Sequence, residues 1–301
     1  MRTTLGSVAG KLFGPDVLLG TVKLYSANNK NLWKMFTNDT LDTKQKYFEY
    51  LQVGDFGMAP QVDEGTRIGY DDFDTPYSKQ YTPVKRALGF YVTEEAIETD
   101  RYMVVRNGMN MAYAFDKTLE QVCANGINNA TSTSTPYVGM DGVALASDSH
   151  PLATGMGVYD NNTTDVFGPI TLETAIQTLL AQKSHRGDPS PDPGPYTLVT
   201  GTSLAGISNR VVKASGLAGT FDHDPNWGGD QISGICNNPY ITSTTAWALV
   251  SKQWRSFLAV RRTLRTKSQF DIDYDATKYV ATTMYLWHFA DWRGFQYSAG
   301  A

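Results

Sequence analysis

Cysteine is nearly absent from this chain: Cys123 and Cys236 are the only two among 301 residues. They lie far apart and match no metal-ligand spacing, which excludes a disulfide framework and predicts two reduced, buried thiols. Long apolar runs are missing too. No stretch approaches the ~20 apolar residues that a membrane span needs. The N-terminal MRTTLGSVAGKLFGPDVLLG is interrupted by Lys11, Gly14, Pro15 and Asp16, unlike a signal peptide or an anchor. A soluble protein made in a cytoplasm is expected. Positive charge is not in surplus either. The net charge is −4 and charged residues make up 19%, whereas a general nucleic-acid binder needs a clear excess of Lys and Arg to neutralise phosphates.

Catalytic signatures are equally scarce. There is no G-x-S-x-G elbow, no P-loop and no G-x-G-x-x-G after a strand. His150 stands among Ser147, Asp148 and Ser149, but neighbours on one loop rarely converge as a triad does. A loop histidine held by local hydrogen bonds is the plainer expectation. Asp222, His223, Asp224 and Asp230 in FDHDPNWGGD offer oxygen ligands for a hard cation, yet their spacing fits no EF-hand loop. A solvated acidic turn is the default there. His185 and Arg186 read as favourable charge at a helix C-terminus, and His288, between Trp287 and Phe289, as packing. No cofactor and no metal is expected.

What is present is apolar and aromatic material, 41% and 12% of the chain, enough for one large or two intermediate domains. Residues 1–45 lack strong periodicity and read as an extended arm with anchors at Leu24, Tyr25, Leu32, Trp33 and Phe36. Residues 46–92 read as a Gly-punctuated hairpin with little to bury. TRIGYDDF (66–73) is strand-like, and SKQYTPVKRALGFYVT has the content of a strand pair with Pro83 at an edge or bulge. Such a hairpin needs a partner surface.

The clearest element is a helix over 94–129. Thr93 caps it, Glu94 and Glu95 sit at its positive end, and Ile97, Met103 or Val104, Met111, Phe115, Leu119, Val122 and Ile127 recur at helical spacing. It would be roughly 50 Å long, with Gly108 as its weak point. Residues 130–170 are polar loop, 171–184 a helix capped by Thr171, YTLVTG a buried strand, and SLAGISNRVVKAS another helix, which together suggest an α/β subdomain. Residues 217–240 read as loop. The last 60 residues (AWALVSK, SFLAVRRTL, FDIDYD, ATKYVATTMYLWHFADWRGF) read as an antiparallel sheet packing on the long helix. No internal repeat is visible.

Charge is distributed unevenly. Residues 49–75 carry an excess of six negative charges, including Asp63, Glu64, Asp71 and Asp72. Residues 251–268 carry an excess of six positive charges, including Arg255, Arg261, Arg262 and Arg265. Two solvated faces are one reading. The other is that the acidic hairpin of one subunit meets the basic strand of its neighbour; assembly left intact by charge reversal at Arg261 and Arg262 would count against it.

The order of these elements resembles the α+β Hong Kong 97-type fold of tailed-phage major capsid proteins. GFYVTEEAIETDRY, DGVALASDSHPL, NNPYITSTTAWALVSK and FADWRGF, in that order, are similar to the Mu-like major head subunit group and span most of residues 80–300. The resemblance implies an N-terminal arm over 1–45 and an E-loop over 46–92. It also implies a P-domain over 93–130 and 241–301 and an A-domain over 131–240. It implies hexamers and pentamers of one chain, closed into an icosahedral shell around phage double-stranded DNA, built in the bacterial host cytoplasm and located in the virion. The partners implied are the chain itself, a separate scaffolding protein, a portal and a decoration or cement protein. Contact with packaged DNA would be weak and sequence-blind, and no membrane is involved. Some relatives carry an N-terminal scaffolding region that a protease removes; with Met1 at the start and no such helical region visible, none is expected here, and a separate scaffolding protein is expected instead. Some crosslink through a Lys–Asn isopeptide bond. Lys79 or Lys85 could be imagined as the donor, but no matching Asn or Glu is identifiable, so no crosslink is expected. Two alternatives stay open: an encapsulin-like compartment shell, and a hydrolase or metal enzyme centred on His150 or His223.

Overall fold

The computed structural model describes residues 31–52, 54, 56–72, 75–100, 102–153, 155–216 and 224–300. Leu24, Tyr25, Asp55, Asp74, Asp222 and His223 therefore lie outside the described residues.

A 3-10 turn, Leu32–Met35, leads into β1 (Asp39–Asp42). Strands β2 (Phe48–Leu51) and β3 (Ser78–Tyr81) flank the acidic loop, and β4 (Val84–Thr93) runs into α1 (Glu94–Thr99) and α2 (Met103–Asn128). Three two-residue strands follow: β5 (His150–Pro151), β6 (Val158–Tyr159) and β7 (Asn162–Thr163). Next come α3 (Pro169–Leu180), β8 (Tyr196–Thr200), α4 (Ala205–Lys213), α5 (Trp227–Asp230), β9 (Ile232–Asn237) and β10 (Trp247–Ser251). The chain closes with β11 (Ser256–Asp271), β12 (Ala276–Phe289) and β13 (Phe295–Ser298).

Two sheets share one core. The first has the order β1-β11-β12-β4, with β1 parallel to β11 and the rest antiparallel. Helix α2 lies on it, because the alternate residues Tyr279, Ala281, Tyr285 and Trp287 of β12 turn inward, as period two requires. The second sheet has the order β7-β13-β10-β8-β9. Tyr196 and Leu198 of β8 join Leu172, Ile176 and Leu179 of α3, while Val199 packs with Cys123, Ala124 and Ile127 at the end of α2. The long helix thus bridges both sheets. Cys123 and Cys236 are free and buried in this core, where burial pushes both thiols up.

Several expectations need correction. The long helix breaks at Asp100–Tyr102, not at Gly108, which is buried inside an unbroken α2. Asp100 is extended there; its side chain accepts from the Tyr102 N–H at 3.0 Å and pairs with Arg106. Thr93 does cap α1, accepting from Ala96. Helix α3 starts at Pro169, the favoured residue for a first helical position. Thr171 closes back on the Gly168 N–H from inside the helix. Residues 217–240 are not all loop, since β9 pairs parallel with β8. The closing strands do not form one sheet: β10 and β13 belong to the second, β11 and β12 to the first. The described end of the arm lies on its own subunit. Trp33 and Phe36 are buried, the Glu120 carboxylate of α2 accepts from the Trp33 N–H at 3.1 Å, and Trp287 Nε1 donates to Thr37 Oγ1 at 2.8 Å.

His288 is packing, as expected, and more. It is buried, Nε2 faces the Pro136 carbonyl, and Nδ1 lies 2.8 Å from the Phe289 N–H. Burial holds its pKa down to about 4, against the pull of the two backbone groups. The unfolded chain therefore binds this proton first, near pH 6.5. The stability contribution is complete above that pH and is lost as pH falls toward 4. Between pH 7 and pH 5 the loss has a ceiling of about 2 kcal/mol. Urea midpoints at the two pH values are expected to differ less in a His288→Gln variant than in the parent; an equal difference would refute the assignment.

Candidate assembly surfaces

The acidic loop is built on an aromatic root. Phe48 and Tyr81, paired across β2 and β3, stack at 5.3 Å, and both meet Phe257 of β11 edge-on. Tyr81 donates to the Phe289 carbonyl at 3.1 Å, and Lys79 reaches the carbonyls of Val138 and Gly139. The hairpin root therefore does own a small core, which the sequence reading did not anticipate. Burial lowers the Lys79 pKa, and its bonds are to its own subunit.

Beyond the root, regular structure stops. The described residues of 52–77 contain no strand, so residues 66–72 of TRIGYDDF form none in the free subunit. Residues 56–72 are exposed throughout, including Phe56, Met58, Ile68 (66%) and Tyr70 (91%). Asp63 and Glu64 lie at a turn closed by the Thr66 N–H to the Asp63 carbonyl, 3.1 Å. Asp71 and Asp72 are engaged instead. The Arg186 guanidinium donates to the Asp71 carboxylate at 2.7 Å and to the Asp72 carbonyl at 2.6 Å. The Gly57 N–H also donates to Asp71, at 2.8 Å, and together these bonds hold its carboxyl below the usual range. Arg186 lies beyond the end of α3, in the turn after it, so its role is this clasp and not a dipole contact. No sequence signal ties residue 186 to residue 71.

The basic residues are sorted by strand register. Arg262 faces Met284, which faces Lys85; Arg265 faces Thr282; Lys267 faces Val280. These rows lie on the sheet face opposite to α2. Lys85, Arg265 and Lys267 are exposed and Arg262 half-buried. Arg261 is the extra residue of a bulge between Val260 and Arg262, and Arg255 precedes the strand in a groove lined by Gln182, His185 and Asp291. Among the described residues none of the four arginines makes an ion pair, whereas Lys278 pairs with Asp271. The structure brings Arg262 and Arg265 together with Lys85 and Lys267 on one open face and leaves Arg255 apart. Lys85 joins only through the β4–β12 register, invisible in a sequence window.

The enzyme reading centred on His150 fails on geometry. His150 is fully buried, with Nδ1 2.7 Å from Asp141 Oδ2 and Nε2 3.1 Å from Asn161 Oδ1. Asn161 is itself fixed, donating to the carbonyls of Leu145 and Phe295 and accepting from the Ser147 N–H. Trp292 stacks on the imidazole at 4.5 Å. Both ring nitrogens are occupied, and neither contacts a hydroxyl; the Ser147 hydroxyl bonds Ser149. This histidine ties the 141–161 loops to the core. Among the described residues no group of acidic, His and Cys side chains could hold a metal ion, and no helix is long and apolar enough to cross a membrane.

A long helix laid on an elongated sheet, a second sheet flanked by helices, and an exposed loop on a small aromatic root constitute the Hong Kong 97-type shell fold. The chain belongs to the phage capsid protein family, which it matches over residues 76–298. No curated protein matches it. Among solved structures it is similar to the subunit of the mature capsid of bacteriophage PhiM1 (TM-score 0.60, 7% identity, 90% of this chain and 87% of that one). It is also similar to a chain of Microbacterium phage Oxtober96 (0.57, 11%, 90% and 91%) and to the virus-like particle from Pyrococcus furiosus (0.52, 9%, 94% and 98%). These likenesses are of fold; the family match carries the function. The chain is a structural protein, a major capsid subunit that self-assembles into the virion shell and is not an enzyme. The match is to the phage capsid protein family and does not single out the Mu-like group.

Proposed function

We propose that the subunit assembles as hexamers and pentamers of one chain, closed by icosahedral symmetry around double-stranded DNA, with the acidic loop of each subunit laid on the basic sheet face of a neighbour. One observation carries this reading: a single chain holds two uncovered surfaces of opposite charge. The loop presents Asp63 and Glu64 with Phe56, Ile68 and Tyr70; the face presents Lys85, Arg262, Arg265 and Lys267 around Val280 and Met284. Complementary charge there sets register and encounter rate more than affinity.

In this arrangement residues 46–92 act as the reaching loop, 93–130 and 241–301 as the peripheral domain, 131–240 as the axial domain and 1–45 as the arm. A separate scaffolding protein, a portal and a decoration protein are its partners in the host cytoplasm, and packaged DNA meets the wall weakly, given the net charge of −4. Negative-stain electron microscopy of the concentrated chain, with and without its scaffolding protein, tests this. Closed shells or capsomer rings are expected; monomers or dimers under every condition would refute it. No isopeptide crosslink is expected from Lys79, which is committed to Val138 and Gly139 in its own subunit, nor from Lys85, for which no matching Asn or Glu is identifiable. Particles heated in denaturant are expected to run as one unshifted monomer band, and a ladder of multimers would overturn this.

A further inference from the structure

The chain crosses between its two sheets twice near its end, once from β10 to β11 and once from β12 to β13. The crossings lie side by side. The Ser251 N–H donates to the Gly294 carbonyl at 2.8 Å, and the Ala290 N–H to the Arg255 carbonyl at 2.8 Å. Gly294, at φ +80°, sits so close to Trp254 that a Cβ would come within 2.9 Å of the Trp254 backbone nitrogen. Between the crossings and the turn after α3 lies a polar cleft of about 160 Å³. Arg255 and Gln253 line it from the first crossing, Asp291 and Arg293 from the second, and Ser190 from the turn.

Donors exceed acceptors in this cleft. Asp291 is the one acid among the described residues that line it, and it is already taken. Arg293 Nη1 donates to both of its carboxylate oxygens, at 2.8 and 3.1 Å, and Gln52 donates to it at 3.4 Å. Arg293 is held in place by Nε donating to the Lys183 carbonyl at 2.9 Å and by its stack on Trp292 at 4.6 Å. Among the described residues the Arg255 guanidinium has neither an ion pair nor a hydrogen bond, and the Gln253 and Ser190 side chains have no hydrogen-bond partner. Asp291 thus offsets Arg293, and Arg255 is left without a counterion.

We propose that the cleft binds one phosphate-class inorganic oxyanion, which pins the two crossings together. Arg255 stands on one crossing and Arg293 on the other, so a shared anion offsets the repulsion between them through charge-assisted bonds. Donors from three separate segments suit a tetrahedral ion, whereas a planar carboxylate is satisfied by a single guanidinium fork. Trp254, Trp292 and His185 are buried, which leaves no open ring at the cleft for a nucleobase to stack on. An anion that binds only the folded chain raises its stability by mass action.

The test uses the full-length unassembled subunit, so its outcome is independent of shell formation. Melting temperature and isothermal titration are followed in potassium phosphate against potassium chloride at matched ionic strength. One saturable site per chain is expected, with melting raised by phosphate and sulfate but not by chloride or acetate. Arg255→Gln is expected to lose at least about tenfold in phosphate affinity. It should melt like the parent in chloride, because Arg255 is exposed. Arg255→Lys keeps the charge without the fork and should fall between the two; Ser190→Ala should bind phosphate more weakly than the parent. Arg265→Gln removes the same charge from the open sheet face and should bind as the parent does. A parent with no saturable phosphate effect, or an effect that survives Arg255→Gln or is lost equally in Arg265→Gln, would overturn the site. Acetate binding as tightly as phosphate, or adenosine monophosphate binding tenfold more tightly, would overturn the ligand class.

Discussion

Gly126→Val is expected to destabilise the subunit by at least about 3 kcal/mol, the upper end of what overpacking a core costs. Gly126 is buried in the last turns of α2, and a Cβ built there comes within 1.7 Å of Trp287 Cζ3 and 2.4 Å of Cη2. Such an approach cannot be relieved by a flexible side-chain end. Trp287 is wedged against Phe36 and Trp254 and holds Thr37 through its indole N–H. Displacing the ring would therefore disturb α2, the first sheet and the arm together. Truncating the obstacle should help: Trp287→Leu alone loses packing, but combined with Gly126→Val it should lose less than the sum of the two, the signature of contacting residues. Thermal melts of the four subunits check this. Strict additivity would mean that the helix and the indole are not in contact.

The second large effect concerns assembly. Reversing charge at the loop tip, Asp63→Lys with Glu64→Lys, is expected to slow shell formation by an order of magnitude or more at low salt while leaving the subunit's melting temperature unchanged. Both residues are exposed, and neither makes an ion pair among the described residues. Arg262→Glu with Arg265→Glu should have the same effect from the other side. The decisive variant carries all four reversals. Its basic loop and acidic face complement each other again, so assembly should recover. Raising the salt should shrink every one of these differences, because exposed charges are screened within about 10 Å at 0.1 M. Light scattering against time reads all of them. A quadruple variant no better than either double would show that the two surfaces do not meet.

The legible part of this fold was local. The Thr93 cap, the apolar period of α2, the buried strand Tyr196–Thr200 and the alternation of β12 each sit within one window, so sequence periodicity finds them. What was not legible depended on distance along the chain. The division of β10 and β13 from β11 and β12 is decided by partners 45 to 55 residues away. β9 hid in a Gly-rich stretch because ISGIC is short and its Gly234 carries no side chain to mark a face. The helix break fell at Asp100, where a carboxylate offers the chain an alternative to the helical bond; at Gly108, buried within α2, the helix runs on unbroken. For the assembly surfaces, composition located the charge but not its face. The excess over 251–268 counted Arg255 with Arg265, and only register separates them and recruits Lys85. Asp71 looked equivalent to Asp63 until Arg186, 115 positions away, claimed it.

The most direct test is a cryo-electron microscopy reconstruction of the assembled shell, resolved well enough to follow residues 56–72. The loop of one subunit should lie across the face bearing Lys85, Arg262, Arg265 and Lys267 of its neighbour. A shell in which that face is open to solvent, and the loop contacts only its own subunit, would contradict the arrangement.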